Sequence, residues 1–396
     1  MRKEFWVVCA SLFLLVSGTY ISGTLLVPYA SALGGTSFSI GVVYGAMYIV
    51  RLIFGGPIGH LSQRRGTKAI LQLSLMLYPF IAAAYVVSWN IPSLLGARIL
   101  HGFASAMMLP MAMAYIAQVS PAGQEGRYMG IYNTILFAAS AIGPVMGGVV
   151  YDRYGIKQAF YLLLLLALAA LAIMLLAVKA EKGRRDYPPG SINTVRLSGG
   201  PGLGILRIRG MVGLSAMNIV QAVTAALLGA TFTQLSLSIG MKMNIIGLLI
   251  ALNNAIIGAV QIPLGKVVDR INKPKITIVS GIGMTLWVVL LPMVQTVWGM
   301  ALLLVILGLF MAVNLSCVTA LSAILGKESG MGFMMGFLGS ANSLGTIIGY
   351  LALGSITDRL GIRSAFYLTG SLSVLALLLF GIQWRHTSYT RAQSCL

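Results

Sequence analysis

Asp152-Arg153-Tyr154-Gly155-Ile156 returns 206 residues later as Asp358-Arg359-Leu360-Gly361-Ile362. The same offset carries Ala159-Phe160-Tyr161-Leu162 to Ala365-Phe366-Tyr367-Leu368, and Met129-Gly130 to Met335-Gly336. It carries Gly143 and Gly148 to Gly349 and Gly354, and Pro57, Gly59 and Arg64 to Pro263, Gly265 and Arg270. Chance does not hold one register over that distance. The chain is two copies of one unit.

The unit is built for lipid. Of 396 residues, 58% are hydrophobic and 9% charged, where a soluble domain carries about 25% charged residues. One soluble core cannot hide so much apolar surface. Disordered, collagen-like, disulfide-rich and nucleic-acid-binding classes are excluded at the same step. Cys9, Cys317 and Cys395 are too few and too far apart for a disulfide framework or a metal site.

A helix needs about 20 apolar residues to cross the hydrocarbon. Runs of that length predict twelve spans, at 6–29, 39–60, 69–88, 92–118, 128–151, 158–179, 211–236, 245–266, 275–296, 298–325, 331–354 and 364–384. Lipid forbids unpaired backbone, and the alternating ten-residue segments of a barrel are not in the pattern, so the spans are helices. The first is read as a span and not a signal peptide, because its apolar run continues to Tyr29 with no small-residue cleavage site. Between the sixth and seventh lies a linker with Pro188-Pro189-Gly190 and Gly199-Gly200-Pro201-Gly202. The expected organisation is an N-terminal six-helix bundle at 1–180, a cytoplasmic linker at 181–209, and a second bundle with a short cytoplasmic tail at 210–396. Parallel repeats imply a pseudo-twofold axis along the membrane normal, with a cavity between the halves that rocking exposes to either side. The fold class is therefore an all-α membrane protein of two pseudo-symmetric bundles.

The net charge of +19 comes from 27 Lys and Arg against 8 Asp and Glu. With the N-terminus inside, 20 of those cations fall in inside segments and 5 in outside ones (Arg153, Lys157, Lys242, Arg359 and Arg363), while Arg51 and Arg98 lie within spans. That bias orients both termini to the cytoplasm and draws the inside face to anionic lipid.

Three motifs resemble the major facilitator superfamily, and the likeness covers nearly the whole chain. The family's loop after span 2 reads G-x-L-x-D-R-x-G-x-K/R; here it is Gly59-His60-Leu61-Ser62-Gln63-Arg64-Arg65-Gly66-Thr67-Lys68, with Gln63 at the acidic position. The second half keeps the acid, in Gly265-Lys266-Val267-Val268-Asp269-Arg270. The resemblance implies a cytoplasmic conformational latch made by Gly59, Arg64, Gly66, Lys68, Gly265, Asp269 and Arg270. The family's span-4 pattern R-x-x-x-G appears as Arg98 to Gly102. Span 5 carries Gly143-Pro144-Val145-Met146-Gly147-Gly148, similar to the G-P-x-x-G-G signature of the family's proton-coupled exporters. Read from the residues alone, Pro144 removes a helix hydrogen bond and Gly143, Gly147 and Gly148 permit close packing, a kink with no directional meaning.

The resemblance implies a secondary transporter working by alternating access, monomeric, in the cell (inner) membrane, with a small-molecule substrate and the bilayer as partners. No enzyme motif, nucleotide loop, metal cluster or cofactor signature is found, and no nucleic-acid partner is expected. A membrane enzyme or a non-transporting sensor is the reading from another class.

All eight acidic residues lie at or beyond span ends. What is embedded is cationic: Arg51 in span 2, and Arg98 and His101 in span 4. Arg98, His101, Ser105 and Met108 share one helix face. His101 is the embedded group whose ordinary pKa lies near physiological pH, hence the candidate proton carrier; the alternative is a neutral ring packed between helices. Arg51 and Arg98 are candidates for an anionic substrate or for structural pairing. Tyr20, Asn218, Gln221 and Asn314 are candidate cavity residues, with interhelical bonding as the alternative. Two functions stay open: an exporter of a small molecule with proton coupling, and a facilitator or symporter of a small organic anion.

The charge bias predicts a cytoplasmic linker. In intact cells, with native cysteines removed, an impermeant thiol reagent should label Gly35→Cys and not Ser191→Cys; the reverse pattern inverts the topology.

Overall fold

The computed structural model describes residues 3–121, 124–177, 210–268, 271–329 and 331–385. The linker 181–209, the latch residues Asp269 and Arg270, and the tail from 386 lie outside the described residues. Twelve helices are long and apolar enough to cross a membrane, one for each expected span. In chain order they are α1 Lys3–Ala32, α2 Ser37–Arg65, α3 Thr67–Val87, α4 Ile91–Val119, α5 Glu125–Tyr154 and α6 Ile156–Ala177. The second half holds α7 Met211–Ser238, then α8 Met243–Val268, α9 Lys273–Leu290, α10 Val297–Ser329, α11 Met331–Leu360 and α12 Ile362–Arg385.

Five helices of the second half start 206 residues after their counterparts: Ser37 and Met243, Thr67 and Lys273, Ile91 and Val297, Glu125 and Met331, Ile156 and Ile362. The repeated D-R-x-G-I stretch is the joint that sets this register. Gly155 (φ +95) and Gly361 (φ +86) end α5 and α11 in a backbone region that side chains avoid. Their N–H groups return to Tyr151 O at 2.9 Å and Thr357 O at 3.1 Å, closing the last turn.

Packing repeats as well. In the first half α1 lies against α5 and α6, α3 against α4 and α6, and α2 against α4; in the second, α7 lies against α11 and α12, α9 against α10 and α12, and α8 against α10. The halves meet where α5 crosses α8 and α2 crosses α11. Lipid gives helices no hydrophobic reason to associate, so close backbone approach has to do it. A Cβ on Gly148 of α5 would come within 2.8 Å of Asn244 Cα in α8, and one on Gly354 of α11 within 3.1 Å of Phe38 Cα in α2. Gly247 and Gly41 answer from the other side, against the backbones of Pro144 and Tyr350.

That seam is tight at the ends remote from the chain termini. Toward the termini, a Cβ on Gly55, Gly56 or Gly59 of α2, or on Gly339 of α11, would meet nothing within 4 Å among the described residues. The backbones of the two halves thus touch at one face, and at these four glycines nearer the other face they do not, among the described residues. One departure from regular helix lies in α7: a π turn at Leu227–Thr231, beside the crossing of α7 with α11.

Within the first half the R-x-x-x-G pattern of α4 has a packing role. A Cβ at Gly102 would stand 2.7 Å from Met47 O and 2.9 Å from Val50 Cβ. Gly102→Val should therefore cost about 1–3 kcal/mol or more by overpacking α2 against α4. The expected readout is a lowered thermal-unfolding midpoint in detergent, with Gly96→Val, at an open position, as the tolerated control.

Candidate transport site

Between the halves lies a cavity of about 270 Å³, near the lower end of the ~300–1,000 Å³ range of ligand pockets. Its polar lining includes Tyr48 and Arg51 from α2, Asn218 from α7, Ser322 from α10, and Asn342 and Ser343 from α11. No carboxylate lines it among the described residues. Asn218 Oδ1 is buried there without a hydrogen-bond partner among those residues, so one acceptor is left over.

Arg51 reaches this cavity because of a stripe on α2. Gly41, Tyr44, Tyr48 and Arg51 recur at helical spacing. Gly41 lets the α11 backbone approach, Tyr44 and Tyr48 lie against Tyr350 of α11, with ring centroids at 4.7 Å and 5.9 Å, and Arg51 follows where the helices part. Tyr20 of α1 is partly exposed and within electrostatic reach of Tyr48 and Arg51.

Arg98 and His101 do not line this cavity; they are 2% and 0% exposed, inside the first bundle. Arg98 Nη1 donates to the Tyr85 hydroxyl at 3.3 Å and stands 3.4 Å from His101 Nδ1. The Tyr85 hydroxyl is itself 3.1 Å from that nitrogen. A guanidinium only donates, so Nδ1 is the acceptor of the imidazole and the tautomer carries its proton on Nε2. That Nε2, like Arg98 Nε, has no partner among the described residues. Tyr78 closes the ring edge-on, centroids 5.4 Å apart.

The Arg98 guanidinium also stacks on Tyr44, 5.3 Å from the ring centroid. The Tyr44 hydroxyl donates to Gly23 O of α1 and stands 3.3 Å from Gly229 O, in the π turn of α7. Tyr44 in turn stacks on Tyr350 at 20° between planes. A buried cation of the first half is thereby one aromatic ring away from the second. Arg98 holds the seam's aromatic stack in place; it does not face the cavity.

The other sequence candidates divide. Asn218 is at the cavity, as is Asn342. Asn314 is fully buried away from it and donates to Ser280 Oγ at 3.2 Å and Thr277 O at 3.4 Å, tying α10 to α9. Gln221 is buried in α7. Gly143 and Gly147 of α5 face α1, where a Cβ would meet Tyr20 Cβ at 2.7 Å and Ile21 Cα at 3.3 Å, while Gly148 faces α8. The span-5 motif is thus the point at which α5 packs against its own half and the other one at once. In the α2–α3 joint, Gly66 takes φ +84, and its N–H bonds Ser62 O at 2.8 Å. Gly59, Arg64 and Lys68 flank it, but their expected acidic partner Asp269, Arg270 and the side chains at 265 and 266 lie outside the described residues.

Tyr44, Tyr48, Tyr85, Tyr350, Ser322 and Ser343 were not among the sequence candidates. The α2 stripe was a readable signal for the first two. Tyr350 stands at the repeat position of Pro144, which marks it as a place where the halves differ.

These features define a membrane protein of two pseudo-symmetric six-helix halves with a polar cavity between them. The family model of the Major Facilitator Superfamily matches residues 8–218 and 214–393, and the chain belongs to that family. The MFS-type transporter MJ1560 of Methanocaldococcus jannaschii is 25% identical over 376 residues, 95% of this chain and 96% of its own. Quinolone resistance protein NorA of Staphylococcus aureus is 27% identical over 148 residues, 37% of this chain and 38% of its own. The crystal structure of a bacterial homolog of the human lysosomal transporter Spinster, inward-facing and occupied, has the same fold, with TM-score 0.78 at 12% identity over 97% of this chain and 96% of that one. The chain is a multi-pass membrane transporter and not an enzyme.

A buried guanidinium without a carboxylate is costly, and replacing it by an apolar isostere is often neutral or stabilising. Arg98→Met leaves Tyr85 and His101 still paired with each other. It should hold or raise the thermal midpoint, leave substrate KM within about twofold, and lower turnover about tenfold by loosening Tyr44, roughly 1.4 kcal/mol. Weakened substrate affinity at unchanged turnover would instead move Arg98 into the binding site.

Proposed function

We propose that this transporter exports a small amphipathic molecule carrying a negative charge, with Arg51 as the countercharge. The observation that carries the reading is Arg51, which among the described residues shares its cavity with amides, hydroxyls, a phenol and the apolar Val318 and Leu338, and with no other charged group. Ionisable groups at membrane depth are expensive and serve function by default. A carboxylate or similar anion on the substrate neutralises the guanidinium through its planar fork. Asn218 Oδ1 then takes a donor from the same molecule, and the aromatic face of Tyr48 takes its apolar part. Outward direction is supported by the G-P-x-x-G-G stretch of α5 and by the partial likeness to NorA, whose description is quinolone resistance. The cell membrane is the proposed location, with both termini cytoplasmic.

A second reading puts a coupling proton on His101, at its acceptor nitrogen Nδ1, where the Tyr85 hydroxyl stands 3.1 Å away. On the first reading alone, any proton travels with the substrate or transport is uncoupled.

Flux into proteoliposomes of a panel of aliphatic and aromatic carboxylates, and of their neutral amides, tests both. Arg51→Gln should raise the KM for the transported anion about ten- to a hundredfold, the worth of a charge-assisted hydrogen bond, and leave the amide unaffected. Arg51→Lys should recover part of the loss, since Lys lacks the fork. Equal losses for acid and amide end the anion reading. Unchanged proton dependence in His101→Gln ends the second one.

A further inference from the structure

The face of the molecule remote from the termini carries two carboxylates at symmetry-equivalent places. Asp152, two residues from the end of α5, accepts the N–H of Met243 at Oδ1, 3.2 Å, and of Asn244 at Oδ2, 2.7 Å. Those are the first two residues of α8, in the other half. Asp358, two residues from the end of α11, accepts the N–H of Ser37 at Oδ1 and of Phe38 at Oδ2, both 2.8 Å. Those are the first two residues of α2, again in the other half. Every partner is shifted by the same 206 residues.

We infer that Asp152 and Asp358 form a paired latch that holds this face of the transporter closed. Each carboxylate spans two N–H groups that a helix start cannot satisfy by itself, and each lies at the positive end of that helix's dipole. Rocking the halves apart removes both carboxylates from both helix starts in one motion. Four charge-assisted bonds are lost together, and water replaces them. The backbone seam beneath serves the same closure: Gly148 and Gly354, four residues before each Asp, are the points of closest approach to Asn244 and Phe38. The geometry also explains why Asp recurs in both copies of the opening motif. At a helix end facing water alone, an acid in the last turn is unfavourable; here it belongs electrically to the start of a helix in the other half. The latch acts on the balance between conformations and needs no substrate, so its test stands apart from that of the anion reading.

Ala32 and Ser238, also 206 apart, are exposed at the ends of α1 and α7 on this same face, in opposite halves. Spin labels at Ala32→Cys and Ser238→Cys, with the native cysteines replaced, report its opening by pulsed EPR distance measurement in purified protein. The starting protein should show mainly the short distance. Asp152→Asn and Asp358→Asn should each raise the ratio of long to short about three- to tenfold. The Ala variants should do so more, and the double variant roughly by the product, as independent sites do. Gly354→Ala, which drives a methyl into Ser37 and Phe38 without touching any charge, should widen the same distance and covers the case in which a carboxylate variant does not fold. An unchanged distribution in the folded double variant, whether or not Gly354→Ala widens it, overturns the latch.

Discussion

Two helices in hydrocarbon gain nothing by hiding apolar surface from each other, because lipid tails hide it equally well. What remains is contact close enough for dispersion and for backbone dipoles to count. Everything that distinguishes this molecule from twelve separate helices follows from where that contact is allowed. Gly41, Gly148, Gly247 and Gly354 let the two halves touch backbone to backbone at one face. At Gly55, Gly56, Gly59 and Gly339, nearer the other face, no such backbone contact is made among the described residues. A carrier needs this inequality. A seam tight along its whole length would be a rigid bundle, and one loose throughout would be a pore.

The second constraint is that lipid-facing protein cannot leave a charge alone. The chain meets it in two ways. Arg98 is enclosed by Tyr44, Tyr85 and His101, which supply a ring face and two polar atoms in place of a carboxylate. Arg51 is left at the cavity edge, where water or a ligand completes it. Cation–π contact contributes about 0.5–2 kcal/mol and cannot alone offset desolvation of a guanidinium. The remainder comes from the fit of the bundle around it, which is why Arg98 is tied to folded geometry and Arg51 is free to answer to what enters.

How much of this was legible in the sequence follows from the physics of each feature. The spans were, because a bilayer demands about 20 apolar residues and nothing else in a chain produces that pattern twelve times. The repeat was, because helix starts and joints keep register where side chains drift. The rotation of each helix about its own axis was not. Arg51 and Arg98 look alike as embedded cations, and only the packing of α2 against α11 turns one toward the cavity while α4 turns the other inward. Asn218 and Asn314 divide in the same way: one lines the cavity, and the other ties α10 to α9. Hydrophobic periodicity normally reports such rotation, but helices buried by protein on one side and lipid on the other are apolar all round, and the signal vanishes. The stripe Gly41, Tyr44, Tyr48, Arg51 survives as a trace because a seam tolerates aromatic and charged residues that lipid does not.

The repeat itself separates gate from cargo. At the closed end of the seam the carboxylates and the close-contact glycines agree: Asp152 with Asp358, Gly148 with Gly354, Gly41 with Gly247. At the embedded polar positions they disagree. Arg51 corresponds to Ile257, Arg98 to Leu304, His101 to Leu307, and Pro144 to Tyr350. The three second-half residues opposite the cations are buried and apolar. A symmetric gate is what rocking requires, since the same motion must open one face as it closes the other. A symmetric binding site would impose a twofold axis on the substrate, which few small molecules possess. With Arg51 the one cation among the described lining residues, the cavity has a charged wall from the first half and a neutral wall from the second. The half with Tyr350 in place of proline presents an aromatic face to the first half's tyrosines. Rocking moves one wall past the other, and with it the side from which the bound molecule can leave.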